Sequence, residues 1–189
     1  MLEVEVVMLI HFVCTGNVYR SRLAEAYLNS KAIPGLQATS SGTLASLNQH
    51  GPITWYAARL IERHGLVPFM SQTWRQSDLK TLSAADCIVF MEDEHLAHCR
   101  AAYGFADLPY RVWCVRDVDA AGFSDERDAC HRELLLVQAT ERTFDRIRTL
   151  VDELIEELAA SAQSNRRSSS IVTPGRAAGW TLPPCSSDC

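Results

Sequence analysis

Phe12-Val13-Cys14-Thr15-Gly16-Asn17-Val18-Tyr19-Arg20-Ser21-Arg22-Leu23-Ala24-Glu25 joins the end of an apolar run to the start of a helical pattern. The run, Val6 to Val13, is broken only by His11 and has the length and β-branched content of a buried strand. It stops at Cys14; Gly16 and Asn17 fall in a short loop, and Ser21 opens the helix. A strand–loop–helix turn of this kind points successive backbone N–H groups inward, and the helix adds the positive end of its dipole. The expected product is an anion cradle formed by Thr15, Gly16, Asn17, Val18, Tyr19 and Ser21, with the Cys14 thiol at its floor. Such surroundings favour a thiolate. Arg20, six positions after Cys14, can grip two oxygens of a tetrahedral anion through its planar fork. The Ser21 hydroxyl is within reach of the sulfur. A thiolate under a bound oxyanion is placed for in-line attack on phosphorus.

Cys-x5-Arg alone is a weak motif; its place after the first strand, with Gly-Asn inside and Ser plus a helix behind, gives it weight. In this context the chain resembles the low-molecular-weight protein tyrosine phosphatases, whose signature reads V-C-x-G-N-x-C-R-S-P-x-A-E. Val13, Cys14, Gly16, Asn17, Arg20, Ser21, Ala24 and Glu25 match it, whereas Tyr19 replaces a second cysteine and Arg22 a proline. The resemblance implies a three-layer α/β/α fold with a four-stranded parallel sheet. It also implies hydrolysis of phosphotyrosine in two steps through a cysteinyl phosphate, with no metal or organic cofactor. Ser40, before Ser41-Gly42-Thr43, becomes a support residue for the phosphate loop, and Gln72 stands where relatives carry a histidine. Val112-Trp113-Cys114-Val115-Arg116-Asp117-Val118 is similar to the family's V-W-D-I-P-D-P segment, which makes Asp117 the general acid and base. Asp119 is a competitor two residues on.

The chain of 189 residues, 47% hydrophobic, is long enough for one full core. Its net charge of −5 offers no electrostatic footprint for nucleic acid or an anionic membrane. No run approaches a membrane span, and the acidic N-terminal segment does not read as a signal peptide. Seven cysteines without regular spacing do not suggest a secreted disulfide framework, so a reducing cytoplasm is the expected setting. The spacing predicts helices over Ser21 to Ala32, from Gly51-Pro52 to Gly65, and over Glu92 to Tyr103. It predicts strands over Leu36 to Ser40, Ala85 to Met91 and Arg111 to Val115. Phe144, Ile147, Val151, Leu154 and Leu158 mark one buried face of a long final helix. Strands alternating with helices give a parallel sheet covered on both faces. Residues 1–160 read as one domain and residues 161–189, rich in Ser, Pro and Gly, as a flexible tail.

The departures shape the remaining expectations. Tyr19 on the loop rim replaces a missing aromatic wall or narrows the entrance, since the first aromatic after the acid is Phe123. Arg22 adds positive charge near the loop. The expected partner is a phosphotyrosine protein, with inorganic phosphate and similar oxyanions as inhibitors. Rival readings of the same architecture are an arsenate reductase, whose cysteine relay looks incomplete with Cys99 and Cys87, and a protein arginine phosphatase, which carries threonine where Val18 stands. A phosphate-binding module with little turnover is a third. His95, His98 and Cys99 share a helix face without a fourth metal ligand. Cys185 and Cys189 read as exposed tail thiols.

Overall fold

The computed structural model describes residues 7–105, 108–118 and 128–168. Strands β1 (Met8–Cys14), β2 (Leu36–Gly42), β3 (Cys87–Phe90) and β4 (Tyr110–Val112) form one sheet. Its order is β2-β1-β3-β4 and every neighbouring pair is parallel. Helices α1 (Arg20–Ser30), α2 (Trp55–Arg63), α3 (Leu79–Ser83), α4 (Asp93–Tyr103) and α5 (Ala129–Ser168) complete the architecture. This is the α/β sandwich expected from the alternation of strand and helix patterns.

The two faces of the sheet follow from the two-residue period of a strand. Met8, Ile10, Phe12 and Cys14 of β1, with Cys87 and Val89 of β3, face one core. That core includes Leu23, Ala24 and Leu28 of α1, Leu60 of α2, and all five apolar positions picked out along α5. Val13, Ile88 and Phe90 face the opposite side, against Leu82 of α3 and Leu96 and Cys99 of α4. Burying each large side chain contributes about 1.5–3 kcal/mol, so the α5 stripe alone is worth roughly 10 kcal/mol before entropy is charged against it. His11 lies fully buried within β1. Its Nδ1 is bonded to Thr39 Oγ1 at 2.7 Å and its Nε2 to Ser41 Oγ at 2.7 Å, both on the neighbouring strand β2. Burial, and then the Arg75 charge, hold its pKa down to about 3, so the ring is a neutral cross-strand strut.

Several boundaries differ from the sequence expectation. Helix α1 stops at Ser30, because Ala32 already has a φ of 49°. Helix α2 starts at Trp55 rather than at Gly51-Pro52: Gly51 has a φ of 73°, and Thr54 is still extended. Helix α3 was not expected; Asp78 caps it by accepting from the Thr81 N–H at 2.6 Å. Strand β4 ends at Val112, three residues early. The chain continues beside β3 through Trp113 N–H to Phe90 O (2.9 Å) and Val115 N–H to Met91 O (2.8 Å), with Cys114 at a φ of 53°. Helix α5 runs to Ser168, past the change in composition at residue 161. Residues 169–189, with Cys185 and Cys189, lie outside the described residues, as do Asp119 and Phe123.

Candidate active site

Parallel strands bring their carboxyl ends to one edge of the sheet, where open α/β folds form their sites. Cys14 ends β1, Gly42 ends β2, Glu92 follows β3 and Asp117 follows β4. The loop from Cys14 to Arg20 turns back over the sulfur. Asn17 N–H donates to Cys14 Sγ at 3.3 Å, and Ser21 Oγ lies 3.0 Å from the same sulfur. Asn17 makes this turn with a φ of 52°, a left-handed conformation that asparagine tolerates better than most residues. Helix α1 then opens without a side-chain cap and without an acidic residue in its first turn, which leaves its first N–H groups for an anion.

A continuous hydrogen-bond network holds the loop from behind. Asn17 Nδ2 donates to Ser21 Oγ (2.9 Å) and to Ser40 Oγ (2.7 Å), while its Oδ1 accepts from the Arg75 N–H (2.8 Å). Ser40 Oγ donates in turn to Glu25 Oε2. Glu25 Oε1 accepts from the Ser71 N–H at 2.9 Å and from the Ser71 hydroxyl at 2.5 Å. Gly42 sits under the loop, where an added Cβ would lie 2.5 Å from Thr15 O and 2.7 Å from Asn17 N. Only a glycine fits there without moving the cradle.

Arg20 is 1% exposed and meets two carboxylates, Glu92 at Nη1 and Asp117 at Nη2, the latter at 2.6 Å. Its Nη1 also donates to Val115 O at 2.8 Å, and its Nη2 to Thr15 Oγ1 at 3.3 Å. Burial works against the guanidinium, but the charges of Cys14, Asp117 and Glu92 outweigh it and raise its pKa. Nε is buried without a hydrogen-bond partner among the described residues, a donor left over for a ligand. His95, at the start of α4, completes the shell. Its Nδ1 accepts the Glu92 N–H at 3.0 Å, so Nε2 carries the proton and donates to Thr15 Oγ1 at 2.9 Å. Burial and then the Arg20 charge hold His95 down to about 3. Glu92, Glu94 and His95 present ligand atoms within 4.8 Å of one another. Both His95 nitrogens and Glu92 are already committed to protein partners, so the cluster reads as part of the arginine's support.

A cleft of about 390 Å3 opens above Cys14, walled by Val18, Tyr19, Leu44, Leu47, Tyr56 and Asp117. The rim position expected of Tyr19 needs correction. Tyr19 is 3% exposed and packs edge-on against Tyr56, with ring centroids 5.1 Å apart. It therefore forms the inner wall rather than a rim, and burial raises its hydroxyl pKa. Arg22 does bring positive charge near Cys14, but from a fully buried position one residue into the helix from Ser21. Its Nη2 donates to Ser71 O, and burial lowers its pKa against the opposing pull of Glu25 and Cys14. Gln72 is exposed; Ser71 and Arg75, its neighbours in the chain, make the support contacts instead. Cys99 is buried in α4, where burial pushes its thiol up to about 11, and Cys87 is buried in β3. Neither is placed as an accessible relay thiol.

The family model for low molecular weight phosphotyrosine protein phosphatases matches residues 9–168. The chain belongs to that family. Low molecular weight protein-tyrosine-phosphatase PtpB of Staphylococcus aureus is 38% identical over 98 residues, 51% of this chain and 66% of that protein, just under two thirds of the relative's length. Among solved structures, a low molecular weight protein tyrosine phosphatase from T. tengcongensis aligns with a TM-score of 0.59 at 22% identity, covering 80% of this chain and 99% of that one. The YwlE arginine phosphatase from Geobacillus stearothermophilus aligns with a TM-score of 0.62 at 21% identity, covering 88% and 99%. At these identities the two structures report the shared fold. In this member of the phosphatase family, Cys14, Thr15, Gly16, Asn17, Val18, Tyr19, Arg20, Ser21, Ser40 and Asp117 all converge on one edge of the sheet. Glu25, Gly42, Ser71, Arg75, Glu92 and His95 also belong to the site, and the sequence reading gave none of them this role. Glu25 left a trace there as a signature match, Gly42 as the glycine of the turn after Ser40, and His95 as a member of a candidate metal face.

Proposed function

We propose that this chain is a protein tyrosine phosphatase acting through a cysteinyl phosphate. The observation that carries the reading is the convergence, in one cleft, of a sulfur bonded by Ser21 and a loop amide with an arginine that also holds Asp117. A phosphoryl group seated above Cys14 takes its charge stabilisation from Arg20 and the amides at the start of α1. The thiolate attacks phosphorus as the P–O bond to tyrosine breaks, and Asp117 gives its proton to the leaving phenolate oxygen. Asp117 then takes a proton from water as that water attacks phosphorus. The P–S bond breaks, inorganic phosphate leaves, and Ser21 Oγ stabilises the returning sulfur anion. Both steps balance without a metal or an organic cofactor.

Val18, Tyr19 and Tyr56 give the cleft an apolar and aromatic lining suited to a phenyl ring. This supports phosphotyrosine over phosphoarginine, whose guanidinium needs polar partners. The partners on this reading are phosphotyrosine proteins, with inorganic phosphate and related oxyanions as inhibitors. A reduced cytoplasm is the compartment that keeps Cys14 available. No helix among the described residues is long and apolar enough to cross a membrane. The test is to quench the enzyme with a phosphotyrosine peptide in acid and locate phosphorus on Cys14 by mass spectrometry. A phosphoarginine peptide is run alongside. Turnover without phosphocysteine refutes the mechanism; faster release from phosphoarginine refutes the substrate class.

A further inference from the structure

A second cleft, of about 320 Å3, lies between the 114–118 loop and α5 and shares Asp117 with the catalytic cleft. Arg116, Arg142 and Arg146 line it, and all three are exposed. Arg142 and Arg146 stand four residues apart, on successive turns of one helix face, where like charges repel. Among the described residues, no acidic residue of α5 forms an ion pair with them. Glu141 pairs with Arg59 and Arg63 of α2, Asp145 with Arg148, and Asp152 with Lys31. Arg116, Arg142 and Arg146 make no ion pair among the described residues. In a chain of net charge −5, three guanidinium groups that line one concavity without an ion pair among the described residues are not a consequence of composition.

We infer that this cleft is a subsite for carboxylate side chains flanking the phosphotyrosine of the substrate. The inference rests on the tyrosine phosphatase reading and deepens it. Asp117 forms a wall of both clefts, so a peptide with its phosphotyrosine over Cys14 passes beside Asp117 to reach the arginines. At about 3.3 Å per extended residue, an acidic side chain a few positions from the tyrosine comes within range. Guanidinium groups suit this ligand because their fork matches a carboxylate. Attraction of this kind raises the rate of productive encounter and weakens with added salt.

The test compares two phosphotyrosine peptides that differ only in carrying glutamates or glutamines beside the tyrosine. Wild type is set against R142E/R146E, with p-nitrophenyl phosphate as the control substrate. Arg116 is left in place because it adjoins Asp117. Wild type should prefer the acidic peptide about fivefold to tenfold in kcat/KM, the range expected of a few exposed ion pairs. That preference should shrink at high salt and vanish or invert in the variant. Activity on p-nitrophenyl phosphate should stay within about twofold, which also reports that the variant is folded. Equal rates on both peptides in wild type overturn the subsite and leave the tyrosine phosphatase reading standing. A variant that keeps the preference, or loses p-nitrophenyl phosphate activity in parallel, also overturns it. Hydrolysis of neither peptide overturns both inferences together.

Discussion

Asn17 offers the sharpest test of how the loop is held. Its side chain makes three hydrogen bonds, to Ser21, Ser40 and the Arg75 N–H, and its backbone adopts a φ of 52°. Asn17→Ala removes all three at about 1 kcal/mol each and adds about 1 kcal/mol for placing a Cβ residue in the left-handed region. The expected loss is about 4 kcal/mol, a large share of the roughly 5–15 kcal/mol that stabilises a domain. Asn17→Gly loses the same bonds without the left-handed strain, so about 3 kcal/mol. Equilibrium urea unfolding, read from the midpoint at constant slope, measures both. Catalysis should separate from stability: Asn17 N–H still exists in the glycine variant, but the turn that aims it at Cys14 Sγ is no longer tied to Ser40 and Arg75. Turnover of p-nitrophenyl phosphate should fall at least tenfold even where the variant is fully folded. A glycine variant within 1 kcal/mol of wild type would refute the network argument. An alanine variant as stable as the glycine one would refute the backbone part.

Other outcomes follow from the same geometry. Asp117→Asn keeps the contact to Arg20 but has no proton to give, so kcat on phosphotyrosine peptides should drop by about 10²–10⁴ while phosphocysteine still forms; undiminished kcat moves the acid elsewhere. Gly42→Ala pushes a methyl group into the Thr15 and Asn17 backbone and should abolish turnover, with oxyanion binding by vanadate as the direct readout. Glu25→Ala leaves the Ser40 and Ser71 donors unsatisfied and removes a negative charge near the buried Arg22, at about 3 kcal/mol or more. Arg22→Met leaves Glu25 its three donors and removes Nε and Nη1, which have no hydrogen-bond partner among the described residues, so it should cost only about 1 kcal/mol; the opposite ranking in urea would contradict the assignment. His11 and His95 are held near 3 in the folded state, against an ordinary value of 6.5. The unfolded chain therefore takes up protons that the folded chain refuses. Stability is fully present above pH 6.5 and declines as pH falls toward 3, by up to about 1.4 kcal/mol per pH unit for each histidine. Equal unfolding midpoints at pH 7.5 and 5.5 would show that these rings are not the neutral struts described.

The phosphate loop was readable in one dimension because its working parts are contiguous. A sulfur, a turn and a helix start within eight residues, Cys14 to Ser21, dictate their own geometry through backbone sterics and the helix dipole. The same holds for the alternation of strands and helices, and for the α5 stripe, whose periods are local. Asp117 required more, since only likeness to a known segment tied it to a cysteine about a hundred positions away. What could not be read were the contacts made where four parallel strand ends meet. Gly42 is needed because two backbones touch there, and Glu92 and His95 matter because β3 delivers them beside Arg20. Tyr19 reads as a rim residue because a tyrosine next to a loop ordinarily faces water, and nothing local says that Arg22 carries its charge from inside the core. Burial is a property of what packs against a residue, and here Ser71 and Tyr56 arrive from distant parts of the chain to enclose them. The arginines beside Asp117 are of the same kind: a charge shows itself in a sequence, but whether a described residue pairs with it shows itself only in space.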